Sequence, residues 1–246
     1  MPTRSRGSTR AWICAVPSRG AVARATRAQE AAATALTRRP EGRPSRPWLK
    51  PGVLAGAAVP FALVTVRALQ GTLGANPIAV ILNELGLSAL VLLLASLACS
   101  PARRIFGWTW PIRIRRELGL FAFFYASVHL LTYLVLDQNL SMGAVLEDIL
   151  KRPFITVGFA AFVLLIPLTI TSTKASVQRL GFRRWQRLHQ LAYLAGALAI
   201  LHFIWRVKLD ASQPLIYAGV LALLLGIRVA YSQRERSRVG AARHQR

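Results

Sequence analysis

Six long apolar runs, separated by short charged or turn-rich stretches, dominate the chain between residues 51 and 232. They fall at about Gly52–Leu69, Ile78–Cys99, Glu117–Leu136, Pro153–Ser172, Arg187–Trp205 and Pro214–Ala230. Each is close to the roughly 20 residues that an α-helix needs to cross a bilayer. Pro153 opens its run, where a missing N–H costs little. Pro60 and Pro167 lie inside theirs, and spanning helices accommodate such prolines by kinking. The pattern predicts an all-α fold, an integral membrane six-helix bundle over residues 51–232. Residues 1–50 form an N-terminal extension and 233–246 a basic tail. The extension is rich in Arg and Pro and has no sustained apolar period, so it is expected to be disordered.

A net charge of +23 alone reads as a nucleic-acid binder, but its distribution points elsewhere. The loop between the second and third runs carries Arg103, Arg104, Arg113, Arg115 and Arg116. That between the fourth and fifth carries Lys174, Arg179, Arg183, Arg184 and Arg187. The alternate loops have no charge at 70–77, a mixture of Asp137, Glu147, Asp148, Lys151 and Arg152, and then Arg206, Lys208 and Asp210. Basic loops on one side only are the mark of a membrane protein with those loops in the cytoplasm. Both termini are therefore expected to be cytoplasmic, and no nucleic-acid partner is expected. The two cysteines, Cys14 and Cys99, make neither a disulfide framework nor a zinc signature.

Within this frame the histidines carry the chemistry. Of the four in the chain, His129, His189 and His202 fall in apolar runs, where an ionisable side chain is costly and marks a functional site by default. His129 lies twelve residues into its run from the basic side, about 18 Å along a helix, and His202 lies fifteen residues in, about 22 Å. Two helices that each offer an imidazole at one depth can clamp a haem. A membrane histidine taken singly is as well explained by a helix–helix hydrogen bond. His189 sits near the cytoplasmic face, about 20 Å below His202. It suits either a second haem beneath the first or an interfacial polar position. On an ideal helix it stands about 140° around from His202, so ligation by both requires a bend or different faces.

Other residues have weaker claims. Arg115 and Arg116, just before the third run, occupy the level one haem below His129. They are topogenic charges or partners for a haem propionate or flavin phosphate. Glu84 is an interfacial carboxylate or a proton relay. Trp108, Trp110 and Trp205 fit an aromatic belt, and His244 lies in the polar tail. No nucleotide-binding glycine loop or nucleophile elbow appears. About fifteen residues follow the last run, so a flavin and NADPH module within the chain is not expected. Electrons would come from a partner or from quinol.

Several stretches carry a family resemblance: GTLGANP at 71–77, IRRELGLFAFFYASVHLLTY at 114–133, KRPFITVGF at 151–159, TSTKASVQRLGFRRWQRLHQLAYL at 171–194, HFIWRVK at 202–208 and QPLIYAGVLALLLGIR at 213–228. Residues 48–232 resemble the MsrQ (YedZ) family, within the ferric reductase and NADPH oxidase transmembrane superfamily. The resemblance implies a six-helix haem b protein of the bacterial inner membrane. Such a protein passes electrons from the quinone pool to a periplasmic molybdopterin methionine sulfoxide reductase subunit of the MsrP type, which repairs oxidised periplasmic proteins. Sulfoxide reduction then lies in the partner. The resemblance further implies an association with FMN, haem ligation at His129, His189 and His202, and anion or flavin contact at Arg115 and Arg116. The long extension, and Leu87 where relatives often carry a basic residue, depart from the family pattern. The alternative is a ferric or other metal reductase fed by a separate cytosolic flavin reductase.

Overall fold

A computed structural model describes residues 48–207 and 211–244, with positions 27 and 29. The expectation of a disordered extension, and Cys14, therefore lie almost wholly outside the described residues. The helices are α1 (Leu49–Leu69), α2 (Pro77–Phe106), α3 (Trp110–Thr132), α4 (Met142–Lys151), α5 (Pro153–Ile170), α6 (Lys174–Leu180), α7 (Phe182–His189), α8 (Leu191–Arg206) and α9 (Ser212–His244). A π-helical turn, Tyr133–Asp137, continues α3. Six units are long and apolar enough to cross a membrane: α1, α2, α3 with its π turn, α5, α7 joined to α8, and α9 as far as Arg234. Each overlaps one of the six apolar runs, but α2 extends through Arg103 and Arg104 and α3 begins before Arg113, Arg115 and Arg116, residues expected in a loop. Helix α9 carries on to His244, through the segment read as a tail. Its Arg, Gln, Glu and Ala residues favour helix even where no apolar face remains to bury.

Local sequence sets the helix ends. Asn76 caps α2, its Oδ1 accepting from the Ala79 N–H at 3.2 Å, and Pro77 takes the first helical position. Gly107, at φ 68°, closes the same helix in the left-handed conformation that glycine adopts without a Cβ penalty. Ser141 caps the short amphipathic α4, after Asn139 and Leu140 turn the chain through positive φ.

Two apolar clusters bind the spans together. Leu90, Leu94 and Leu97 of α2 pack with Tyr193 and Ile200 of α8 and with Leu221 and Leu224 of α9. Leu93 of α2 packs with Ala122 of α3, Leu165 and Leu168 of α5, and Ala195 of α8. Helices α2 and α8 thus belong to both clusters, and α2, α3, α5 and α8 form an inner body. Helix α1 leans on it through α2 and α3, and presents Leu54, Leu63, Val66 and Leu69 outward. Such a surface fits lipid rather than water.

Pro60, inside α1, has a specific companion. The Tyr125 side chain from α3, fully buried, reaches α1. Its hydroxyl accepts from the Phe61 N–H at 2.9 Å and donates to the Ala57 carbonyl at 2.7 Å. These two backbone groups would bond directly in a regular helix. The tyrosine hydroxyl is inserted into the ladder beside the proline, which accounts for the tolerance of Pro60 in physical terms.

Candidate functional site

His129 on α3 and His202 on α8 come together inside the inner body. Their ring centroids are 6.3 Å apart and their planes stand at 87°. A backbone carbonyl of the preceding span holds each ring: Nδ1 of His129 lies 2.9 Å from the Leu82 oxygen on α2, and Nδ1 of His202 lies 2.7 Å from the Phe154 oxygen on α5. A carbonyl only accepts, so each Nδ1 carries the proton and each Nε2 keeps its lone pair. Metal-ligating histidines are fixed in this way.

Both rings border a cavity of about 660 Å³ between α2, α3, α5 and α8, within the range of small-molecule and cofactor sites. Small residues, among them Gly86, Ala126, Gly158, Ala161 and Ala199, form much of its wall. Polar groups gather at the end away from the Arg-rich loops. There Arg206 donates to Asn83 Oδ1 at 2.8 Å, and Arg152 pairs with Asp148 at 3.3 Å.

The donor set discriminates between bare and chelated metals. Among the described residues no three His, Cys, Asp or Glu side chains gather into a group able to hold a metal ion. Two imidazoles beside an apolar cavity suit a metal that brings its own equatorial ligands, as haem iron does. The spacing fits too. Metal–nitrogen bonds of about 2 Å, with each ring centre ~1 Å beyond its nitrogen, put two axial imidazole centroids about 6 Å apart.

His189 is arranged differently. It ends α7, and the helix is interrupted at Gln190 before α8 begins. Gln190 keeps right-handed helical angles (φ −71°, ψ −23°), and the junction is tightened by the bonds Gln190 N–H to Arg187 O and Tyr193 N–H to Gln190 O. The ring lies 4.1 Å from that of Trp185, and Nε2 is 3.1 Å from Thr171 Oγ1. The Thr171 hydroxyl gives its one proton to the Pro167 carbonyl at 2.6 Å, so His189 Nε2 is the donor and Nδ1 holds the lone pair. Among the described residues no second histidine ring contacts it.

Arg115 and Arg116 separate as well: Arg115 is half-buried and Arg116 exposed. The Arg115 backbone carbonyl accepts from Ser96 Oγ at 3.0 Å, and no hydrogen-bond or ion-pair partner for its guanidinium occurs among the described residues. Glu84 pairs with Arg67 at 2.6 Å, as an interfacial carboxylate would. Trp108 stacks between Phe106 and Trp110, and Cys99 is buried and free. Sequence reasoning missed Gly86, Gly158, Asn83 and the carbonyls of Leu82 and Phe154. A glycine inside an apolar run was the only available signal, and it does not say which neighbour comes close.

An inner body of four spans with one histidine on each of two facing helices defines a class of membrane protein, and residues 82–200 match the family described as ferric reductase like transmembrane component. Within that class the similarity is closer still. The chain is 50% identical over 184 residues to the protein-methionine-sulfoxide reductase heme-binding subunit MsrQ of Rhodospirillum rubrum, covering 75% of this chain and 88% of that one. It is 51% identical over 189 residues to the MsrQ subunit of Deinococcus radiodurans, covering 77% and 92%. It is 56% identical over 157 residues to that of Xanthomonas campestris, covering 64% and 72%. The chain belongs to the MsrQ family.

Proposed function

We propose that this chain is the haem b membrane subunit of a methionine sulfoxide reductase system of the bacterial inner membrane. In this reading it carries electrons from quinol to a periplasmic molybdopterin-dependent subunit, which performs the sulfoxide chemistry. The observation that carries the reading is the pair His129 and His202, 6.3 Å apart at the wall of an apolar cavity, each with Nδ1 bound to a backbone carbonyl. The names of the relatives, as heme-binding subunits of protein-methionine-sulfoxide reductase, support it.

The residues divide the work. His129 and His202 would hold the haem iron through Nε2. Arg206, next to the cavity and bonded to Asn83, is placed to neutralise a propionate, as guanidinium groups do. The small wall residues admit a flat macrocycle and exclude water. When bound, the haem supplies a one-electron centre. On the Arg-rich side, His189 and the half-buried Arg115 are the receiving groups, His189 as a second haem ligand or quinol contact and Arg115 for an anionic group such as an FMN phosphate.

The test is a reduced-minus-oxidised spectrum of purified wild-type, His129→Ala and His202→Ala proteins, with a haemochrome count of haem b per chain. A Soret band that is present in the wild type and lost in both variants is expected. Unchanged haem content in both would overturn the assignment. Adding a periplasmic sulfoxide reductase subunit in its oxidised form should then reoxidise the quinol-reduced haem.

A further inference from the structure

The two histidines share more than their depth. Each is held by an identical device on the span that precedes its own. On α2 the carbonyl that accepts from His129 belongs to Leu82, and four residues later stands Gly86. On α5 the carbonyl that accepts from His202 belongs to Phe154, and four residues later stands Gly158. The sequence separations of the two hydrogen bonds are 47 and 48 residues.

Helix geometry explains the four-residue step. A helical carbonyl already accepts from the N–H four residues on. Its second lone pair is reached from the side, past the Cβ of that same residue, because helical side chains lean back over the preceding turn. A glycine there leaves the approach open. A Cβ built on Gly158 would lie 2.7 Å from His202 Nδ1, and one on Gly86 would lie 3.2 Å from His129 Nδ1. Other span glycines behave otherwise. Gly196 meets leucine side chains at ordinary contact distance, and Gly219 and Gly226 meet nothing within 4 Å. General helix packing by small residues would not single out the two imidazoles.

We propose that Gly86 and Gly158 are positioning residues for the haem, each opening the carbonyl four residues before it so that His129 or His202 can anchor Nδ1–H there and turn Nε2 to the metal. The proposal rests on the haem-ligand reading of the two histidines. Through the Nδ1 bond the glycines set ligand basicity as well as ring orientation. A histidine that donates to a carbonyl is the better electron donor to its metal and favours the oxidised iron.

The test replaces one glycine at a time by alanine in the full-length, haem-loaded protein, with Gly219→Ala as the control. The readouts are the haem midpoint potential and the ferric EPR spectrum, not activity. G158A should shift the potential to more positive values and alter the EPR line shape, since the ring has to move off Phe154. G86A should do the same to a smaller extent, because a few tenths of an ångström suffice there. G219A should match the wild type. Loss of haem from G158A with the helical fold retained also supports the proposal. If G158A does not fold, G86A decides alone. Wild-type potential and EPR in G86A, or in both variants, overturn it. That failure is distinct from failure of the haem-ligand reading, in which His129→Ala and His202→Ala retain their haem.

Discussion

At the scale of single residues, the angle between the two imidazoles has a measurable consequence. If both rings hold a haem iron at this angle, planes crossed at 87° would keep the two iron π-orbitals that interact with them nearly equal in energy. A ferric haem held by His129 and His202, as proposed, should therefore give a strongly anisotropic low-spin EPR signal with one dominant low-field feature. A three-line rhombic spectrum in the wild type would show that the rings lie parallel when the haem is bound. The paired arginines make a second contrast. Arg115 is half-buried and Arg116 faces outward, so under the proposed anion contact Arg115→Ala should weaken the binding of added FMN to the purified chain, whereas Arg116→Ala should leave it near the wild-type level. Equal loss from both variants would mean that only the general positive charge matters. Sequence alone ranked the two arginines together, because adjacent positions on a helix differ by about 100° in direction and nothing local says which direction is inward.

At the scale of elements, the spans were legible because a bilayer demands length and apolarity, both of which are properties of one segment. What joins the spans was not, because it depends on which segments become neighbours. Pro60 shows the difference. Its tolerance could be expected, but the agent, the Tyr125 hydroxyl between Phe61 N–H and Ala57 O, comes from another helix. Tyr125→Phe should strand two backbone groups away from water and cost about 1–3 kcal/mol, read as a lower unfolding midpoint in detergent. In a Pro60→Ala background α1 can close its own ladder, so the same substitution should cost clearly less, and the double-mutant cycle should show positive coupling. Equal costs in both backgrounds would mean the hydroxyl is not filling a gap made by the proline. The fifth span carries the same lesson. Spacing left either a bend or ligation from different faces between His189 and His202, and the chain changes its hydrogen-bond register at Gln190, between α7 and α8. The glycines opposite the histidines stayed invisible for the same reason as Tyr125, since Gly158 and His202 meet only after α5 and α8 have packed.

At the scale of the whole molecule, charge and chemistry divide the bundle along its length. Arg103 and Arg104 at the end of α2 and Arg183, Arg184 and Arg187 in α7 lie at one end, and His189 and Arg115 lie toward that end. The His129–His202 cavity, with Arg206 and Asn83, lies toward the other. In the proposed reading the positive loops lie in the cytoplasm, the paired histidines lie toward the opposite side, where the electron acceptor would be, and His189 lies near the entry side. The two ends should therefore separate by mutation. His189→Ala should keep the EPR signal of the haem between His129 and His202, because the Nδ1 anchors of that pair, Leu82 and Phe154, are remote from α7 in sequence and lie on other spans. The same variant should be reduced more slowly by quinol than the wild type, while dithionite, which needs no entry site, still reduces it fully. A haem count that falls by one, with that EPR signal intact, would assign His189 to a second haem. An unchanged count with slowed reduction would assign it to the quinol or flavin contact. Loss of the EPR signal itself in His189→Ala would contradict the division, since it would make the pair at one end depend on a ring at the other.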